Sequence, residues 1–126
     1  MIRFPYNHDY YPEIPEIVVI LEAMPHEIRS QPLRGIVDTG ADATIVPLSI
    51  LRQIKARIVA DRYLSGYTGL RRRVRTFLVD VHVDGFSLPG IEVVGDNTAE
   101  LLIGRDVLNK LRLVLDGPAG QMDVMD

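Results

Sequence analysis

Short apolar runs separated by turn signals dominate this chain. EIVVILEA (16–23), LRGIVD (33–38), ATIVP (43–47), TFLVDVHV (76–83), IEVVG (91–95), LLIG (101–104) and LRLVLD (111–116) are rich in Val, Ile and Leu. Their spacing predicts many short strands in a closed or sandwiched all-β domain. FLVDVHV alternates apolar and polar positions, as a half-buried antiparallel strand does, and sets His82 on the outward side between Val81 and Val83. DGPAG (116–120) predicts the turn of a terminal hairpin joining LRLVL to QMDVM. Two segments read as helices. PLSILRQIK (47–55) has Pro47 in the first turn and Leu48, Leu51 and Ile54 on one face; GRDVLNKL (104–111) groups Val107, Leu108 and Leu111.

The first 16 residues break the pattern. Pro5, Pro12 and Pro15 stand among Phe4, Tyr6, Tyr10 and Tyr11, which predicts an extended arm (1–16) that resists helix and ladder pairing. Its aromatics are expected either to pack on the domain or on a partner chain, or to belong to a loosely ordered terminus, with nothing in the sequence favouring one over the other. Residues 17–126 then form one domain, as a 126-residue chain that is 47% hydrophobic allows. No signal-peptide pattern opens the chain, and no apolar run approaches the roughly 18 residues of a membrane span, so a cytoplasmic protein with no membrane partner is expected.

Composition narrows the chemistry. A net charge of −3 argues against a nucleic-acid binder. There is no cysteine for a disulfide or a thiolate site, and His8, His26 and His82 form no ligand spacing, so neither a metal nor another cofactor is expected. The feature that demands an explanation is IVDTGADATIVP (36–47), where an apolar strand ends in Asp38, then Thr39 and Gly40, and the chain turns apolar again. A carboxylate at the mouth of a buried strand is costly to desolvate unless it is paired, hydrogen-bonded or used. A calcium loop would need further oxygen ligands and a closing Glu, and a phosphate loop a glycine-rich run ending in Lys and Ser or Thr; both are absent. Spacing leaves open a covalent phosphoryl transfer through Asp38, though no lysine or second carboxylate set accompanies it.

VDTGADATIVP (37–47) and LLIGRDVL (101–108), in this order and with the hairpin-like LSGYTGLRRRVRTFLVDVHVDG (64–85) between them, resemble the retropepsin-like aspartic proteases, the single-domain relatives of pepsin typified by retroviral proteases. The resemblance covers roughly residues 17–116. It implies a closed retropepsin-like barrel with a flap hairpin and one or two short helices. With a single DTG it also implies a homodimeric endopeptidase in which two Asp38 carboxylates meet on a two-fold axis. Sharing one proton, one carboxylate would act as base on a water while the other polarises the scissile carbonyl.

Further roles follow from the resemblance. Thr39 would hydrogen-bond across the dimer, and the Gly40 amide would face the carboxylates. Ala41 stands where many pepsin-like relatives have Ser; the missing hydroxyl leaves the dyad less acidic and moves the expected activity toward neutral pH. Asp42 would contact the main chain of a peptide substrate, and Arg105, beside Gly104, would pair with Asp42 in a partly buried bidentate bridge supporting the site. Gly66, Tyr67 and Thr68 read as a flap tip closing over the peptide. Ile45, Val46, Leu64, Val94 and Leu102 are candidate walls of the specificity pockets.

The long arm and the C-terminal GPAGQMDVMD (117–126) depart from retroviral enzymes, so the dimer is expected to assemble differently. Arg71, Arg72, Arg73 and Arg75 offer a basic patch for RNA, but in a net acidic chain solvated strand positions on a hairpin arm are the favoured reading. The alternative to an enzyme is a catalytically silent domain of the same fold serving as a dimerisation or peptide-binding module, since a motif shows capacity and not turnover.

Overall fold

The computed structural model describes residues 1–65 and 69–126. Its centre is a closed barrel of six strands, which bears out the expectation of an all-β closed barrel. β2 (Glu16–Ala23) pairs with β4 (Leu33–Val37), and the order continues through β9 (Leu101–Ile103), β5 (Ile45–Pro47), β8 (Phe86–Asp96) and β7 (Arg71–Val83). β7 closes the ring on β2, with Leu21 opposite Val81 and Glu22 opposite Asp80. Strict alternation puts Ile17, Val19 and Leu21 inside with Val79, Val81 and Val83, and Val46, Val93 and Ile103 complete the filling. No helix among the described residues is long and apolar enough to cross a membrane.

The strand order matters for the site. β9 lies between β4 and β5, parallel to β4 and antiparallel to β5, so residues 38–44 must wrap around the end of β9. The two short helices fall inside the predicted segments: α1 (Leu48–Gln53) and α2 (Arg105–Leu108). Pro47 sits just ahead of α1 rather than in its first turn, with ψ of 130°.

The seven predicted strand segments are all strands, with β7 and β8 extended beyond them; the remaining differences lie at the edges. β6 (Arg57–Ser65), which pairs with β7, carries no predictive alternation because it is exposed along nearly its whole length. β3 (Ile28–Arg29) is a two-residue addition to β2. The expectation that the arm avoids ladders is corrected for β1 (Ile2–Pro5), which pairs with β11 (Gln121–Met125), itself paired with β10 (Arg112–Asp116) in the predicted terminal hairpin. Pro5 is tolerated because it is the last residue of a sheet-edge strand, where its missing N–H costs little. An Arg3 to Asp123 ion pair at 2.8 Å spans the β1–β11 pair. Three of the four arm aromatics pack on the domain: Tyr6 is buried in the core, Phe4 lies against it, and the Tyr10 hydroxyl donates to Glu100 at 2.6 Å, while Tyr11 stands exposed.

Candidate active site

Asp38 is delivered by β4, whose last residues Ile36 and Val37 are buried. The Asp38 amide donates to the Ile103 carbonyl at 3.0 Å, which carries the β4–β9 pairing one residue further and sets the half-buried carboxylate at the barrel rim. The chain then turns tightly. The Gly40 amide donates to Asp38 Oδ1 at 3.0 Å and the Ala41 amide to the Asp38 carbonyl at 3.2 Å. An amide hydrogen thus fixes one carboxylate oxygen in place.

The segment after β9 locks this loop from the other side. The Arg105 amide donates to the Ala41 carbonyl at 2.9 Å, the Arg105 guanidinium donates to the Thr39 carbonyl at 2.7 Å, and its other arm bonds Asp42 Oδ1. The Arg105 to Asp42 bridge is made, but through a single Asp42 oxygen rather than as a bidentate pair, because the other guanidinium arm is taken by the Thr39 carbonyl, and it is exposed rather than partly buried, with Asp42 83% accessible. The Thr39 contact seen here is made through its carbonyl. Gly104 is the point of closest approach: a Cβ there would lie 2.6 Å from the Ala43 carbonyl carbon and 2.9 Å from the Ala41 oxygen, both backbone atoms that cannot swing aside.

Two residues at the centre of this lock carry no mark in the motif reading. Thr44, fully buried, donates its hydroxyl to Asp106 Oδ1 at 2.7 Å and accepts the Gly104 amide at 3.1 Å, while its own amide donates to Asp106 Oδ2 at 3.0 Å. The available signal was a hydroxyl inside an apolar strand, which must find a partner when buried. The partner lies 62 residues away.

Beside the loop is a cavity of about 320 Å³ lined by Gly40, Ala41, Asp42, Ala43, Ile45, Leu64 and Ser65. It joins the Asp38 turn to the end of β6. Of the proposed pocket walls Ile45 and Leu64 line it; Val46 points into the barrel core, while Val94, the register partner of Ile45, is buried on the face opposite to Val93 and is not among the lining residues. The β6–β7 hairpin is present, paired to Ser65 opposite Arg71. The flap-tip candidates Gly66, Tyr67 and Thr68 lie outside the described residues.

Residues 24–110 match a family model described as "gag-polyprotein putative aspartyl protease". The chain belongs to this aspartyl protease family. Solved structures agree on a retropepsin-like aspartic protease fold. The chain is similar to a retropepsin-like aspartic protease from Rickettsia conorii, with a TM-score of 0.70 and 14% identity over 98% of this chain and 88% of that one. It is also similar to the EIAV protease complexed with the inhibitor HBY-793, with a TM-score of 0.62 and 19% identity over 85% and 93%. A search of curated proteins by sequence gave no match. At these identities the structural likeness shows the fold alone.

The basic cluster lies on β7 with acidic partners nearby. Arg72 pairs with Asp96 at 2.9 Å, Arg73 and Arg75 share Asp61 at 2.8 and 3.3 Å, and Arg71 stacks 4.9 Å over the Tyr63 ring. Hydrogen bonds from Arg73 and then Arg75 hold the Asp61 carboxyl below its usual range, and Arg72 does the same for Asp96. These contacts fit strand positions on a hairpin arm. His82 faces outward as expected but is mostly covered, with Nε2 2.7 Å from Glu22 and Nδ1 2.9 Å from Ser87 Oγ. Glu22, Asp80 and His82 form a donor cluster that sequence spacing did not suggest, on adjacent strands β2 and β7. Arg29 stands 3.3 Å from Glu22 and supplies a cation there.

Proposed function

We propose that the protein is an aspartic endopeptidase whose working form is a homodimer, with Asp38 of each copy forming the catalytic pair. The observation that carries this reading is Asp38 itself: a half-buried carboxylate at the end of a core strand, fixed by the Gly40 amide, in a loop clamped by Arg105 and by Thr44 with Asp106. So much local order around one acidic group fits a side chain placed for chemistry.

Two such carboxylates a few ångströms apart hold one proton between them, because both cannot ionise together. The ionised one takes a proton from water as it attacks the peptide carbonyl; the protonated one donates to the carbonyl oxygen. Any titration belongs to the pair. Asp42 accepts a main-chain N–H of an extended substrate in this reading, which its bond to Arg105 through one oxygen and its largely exposed carboxylate support. Ala41 brings no hydroxyl to the pair, which favours activity nearer neutral pH. Gly66, Tyr67 and Thr68 are assigned to covering the bound peptide, and no cofactor is required.

The test is cleavage of a complex peptide library by the purified dimer and by Asp38→Asn, at mildly acidic and neutral pH, read by mass spectrometry. The substitution keeps the side-chain shape and removes the acid. Cuts made only by the unmutated protein are the expected result. No cuts from either protein, in samples shown to be dimeric, would leave a peptide-binding or dimerisation module.

A further inference from the structure

β2 and β7 meet where the barrel closes, and their register sets Glu22 directly opposite Asp80, with Ile20 opposite His82. Asp80 and His82 alternate with the buried Val79, Val81 and Val83, so the three polar side chains share the outer face of the sheet. One donor atom from each, an imidazole nitrogen and two carboxylate oxygens, lie within 4.8 Å of one another. Like charges directly opposite on a sheet are unfavourable unless a cation offsets them. Water does little of that here, since the Glu22 side chain is 11% exposed and that of His82 19%.

The surroundings hold the three groups in place. His82 Nδ1 lies 2.9 Å from Ser87 Oγ, and the Gly90 amide donates to Asp80 Oδ1 at 2.9 Å. With Nδ1–H donating to Ser87, Nε2 carries the lone pair of the ring, and it stands 2.7 Å from Glu22 Oε1. Two lone pairs at that distance need a proton or a metal ion to share. A zinc ion takes nitrogen and oxygen ligands at about 2.0–2.2 Å, which sets neighbouring donors roughly 3.3 Å apart. That value lies between the 2.7 Å of the His82–Glu22 pair and the 4.8 Å limit of the cluster, so side-chain rotations suffice. Arg29, opposite Glu22 on β3 and 57% exposed, now reaches Glu22 at 3.3 Å and has room to turn out to water. His82 also lines a cavity of about 350 Å³ with Ile2, Phe4, Val18 and Asp84, which gives an ion a route in.

We propose that Glu22, Asp80 and His82 bind one zinc ion, with water completing its shell, and that the ion ties β2 to β7 where the barrel closes. One imidazole with two carboxylates suits a borderline ion, whereas calcium and magnesium favour all-oxygen sets. Its double charge balances both carboxylates. The site lies at the far end of β2 from the Asp38 turn, which β2 approaches at Glu16 opposite Ile36, so its role is structural and independent of the Asp38 chemistry.

The test titrates zinc chloride into the full chain, stripped of metal by a chelator and dialysed, with isothermal titration calorimetry as the readout. One-to-one binding that saturates below about 0.1 mM zinc is expected. Zinc at about a hundredfold excess over its dissociation constant should raise the melting temperature by about 5 °C or more. His82→Ala and Asp80→Asn should each weaken binding by about a hundredfold, with circular dichroism establishing that both fold. Arg29→Ala, at an exposed position, removes the cation that competes for Glu22 and should tighten binding severalfold. His8 and His26 are exposed elsewhere, and the double variant His8→Ala, His26→Ala should bind as the parent does. No saturable binding by the parent, unchanged affinity in the two ligand variants, binding no tighter in Arg29→Ala, or loss of binding in the double histidine variant would each overturn the site. None of these readouts involves cleavage, so the outcome is separate from that of the Asp38 test.

Discussion

Thr44→Val isolates the lock that holds the Asp38 loop. Valine keeps the branched shape, so packing of the fully buried position barely changes. What disappears is the hydroxyl, and with it the 2.7 Å bond to Asp106 and the acceptor for the Gly104 amide at 3.1 Å. A hydrogen bond to a charged group contributes about 1.5–3 kcal/mol and a buried amide left without an acceptor costs about 1–3 kcal/mol. The two overlap, because one atom serves both, and Asp106 keeps the Thr44 and Val107 amides as donors. The expected loss is therefore about 2–4 kcal/mol. It should appear in urea unfolding as a lower midpoint with unchanged slope, measured at one protein concentration because dimerisation would link stability to concentration. Thr44→Ser retains the hydroxyl, gives up one methyl group, and should lose only about 1 kcal/mol. If Thr44→Val unfolds within about 0.5 kcal/mol of the parent, or no lower than Thr44→Ser, the lock does not hold the loop as described.

Arg105→Lys gives up the fork that reaches both Thr39 and Asp42; because the site is exposed, stability should change by less than about 1 kcal/mol, while kcat on a peptide substrate falls by up to about a hundredfold through misplacement of the loop. Melting temperature alongside steady-state kinetics checks both halves of that statement. Met122→Ala empties a fully buried site in the terminal sheet and should cost about 2–5 kcal/mol in urea unfolding; a loss below about 1 kcal/mol would mean that this sheet is not part of the cooperative core. Asp61, Glu92 and Asp96 have carboxyls held below their ordinary values by hydrogen bonds from Arg73, Arg62 and Arg72 respectively. A depressed folded-state value means stability that is present above the ordinary range and is lost as pH falls through the folded-state values, so the melting temperature should drop below about pH 4. The drop should be shallower in Asp96→Asn, and a parallel pH curve for that variant would rule out its share.

Strands are most legible in the sequence where one face is buried and the other meets water. The alternation in TFLVDVHV and the apolar run EIVVILEA announce β7 and β2 because water-facing and core-facing positions differ in kind. Strands are least legible where they have no buried face. β6 is exposed along nearly its length and is a strand because β7 offers a ladder partner. β1 contains a proline and four residues, and becomes a strand only because β11 runs beside it from the far end of the chain.

The site divides in the same way. Asp38, Thr39, Gly40, Asp42 and Arg105 were legible because their order and spacing form a motif, and the Gly40 amide lies on Asp38 as the short Asp-Thr-Gly turn demands. Thr44 and Asp106 were not, and neither was the division of the apolar candidates into pocket wall and core. Ile45 and Val46 are neighbours in sequence, yet one lines the cavity and the other is sealed in the barrel. By itself, then, the sequence determined the β class, the terminal hairpin and the Asp-Thr-Gly turn at the end of β4, all of which rest on residues close together in the chain. Only the tertiary structure decided which distant groups satisfy the buried hydroxyl of Thr44, which strands have an edge left over, and which side chains reach the cavity, because burial and hydrogen-bond satisfaction depend on neighbours that the chain brings together only when the barrel closes.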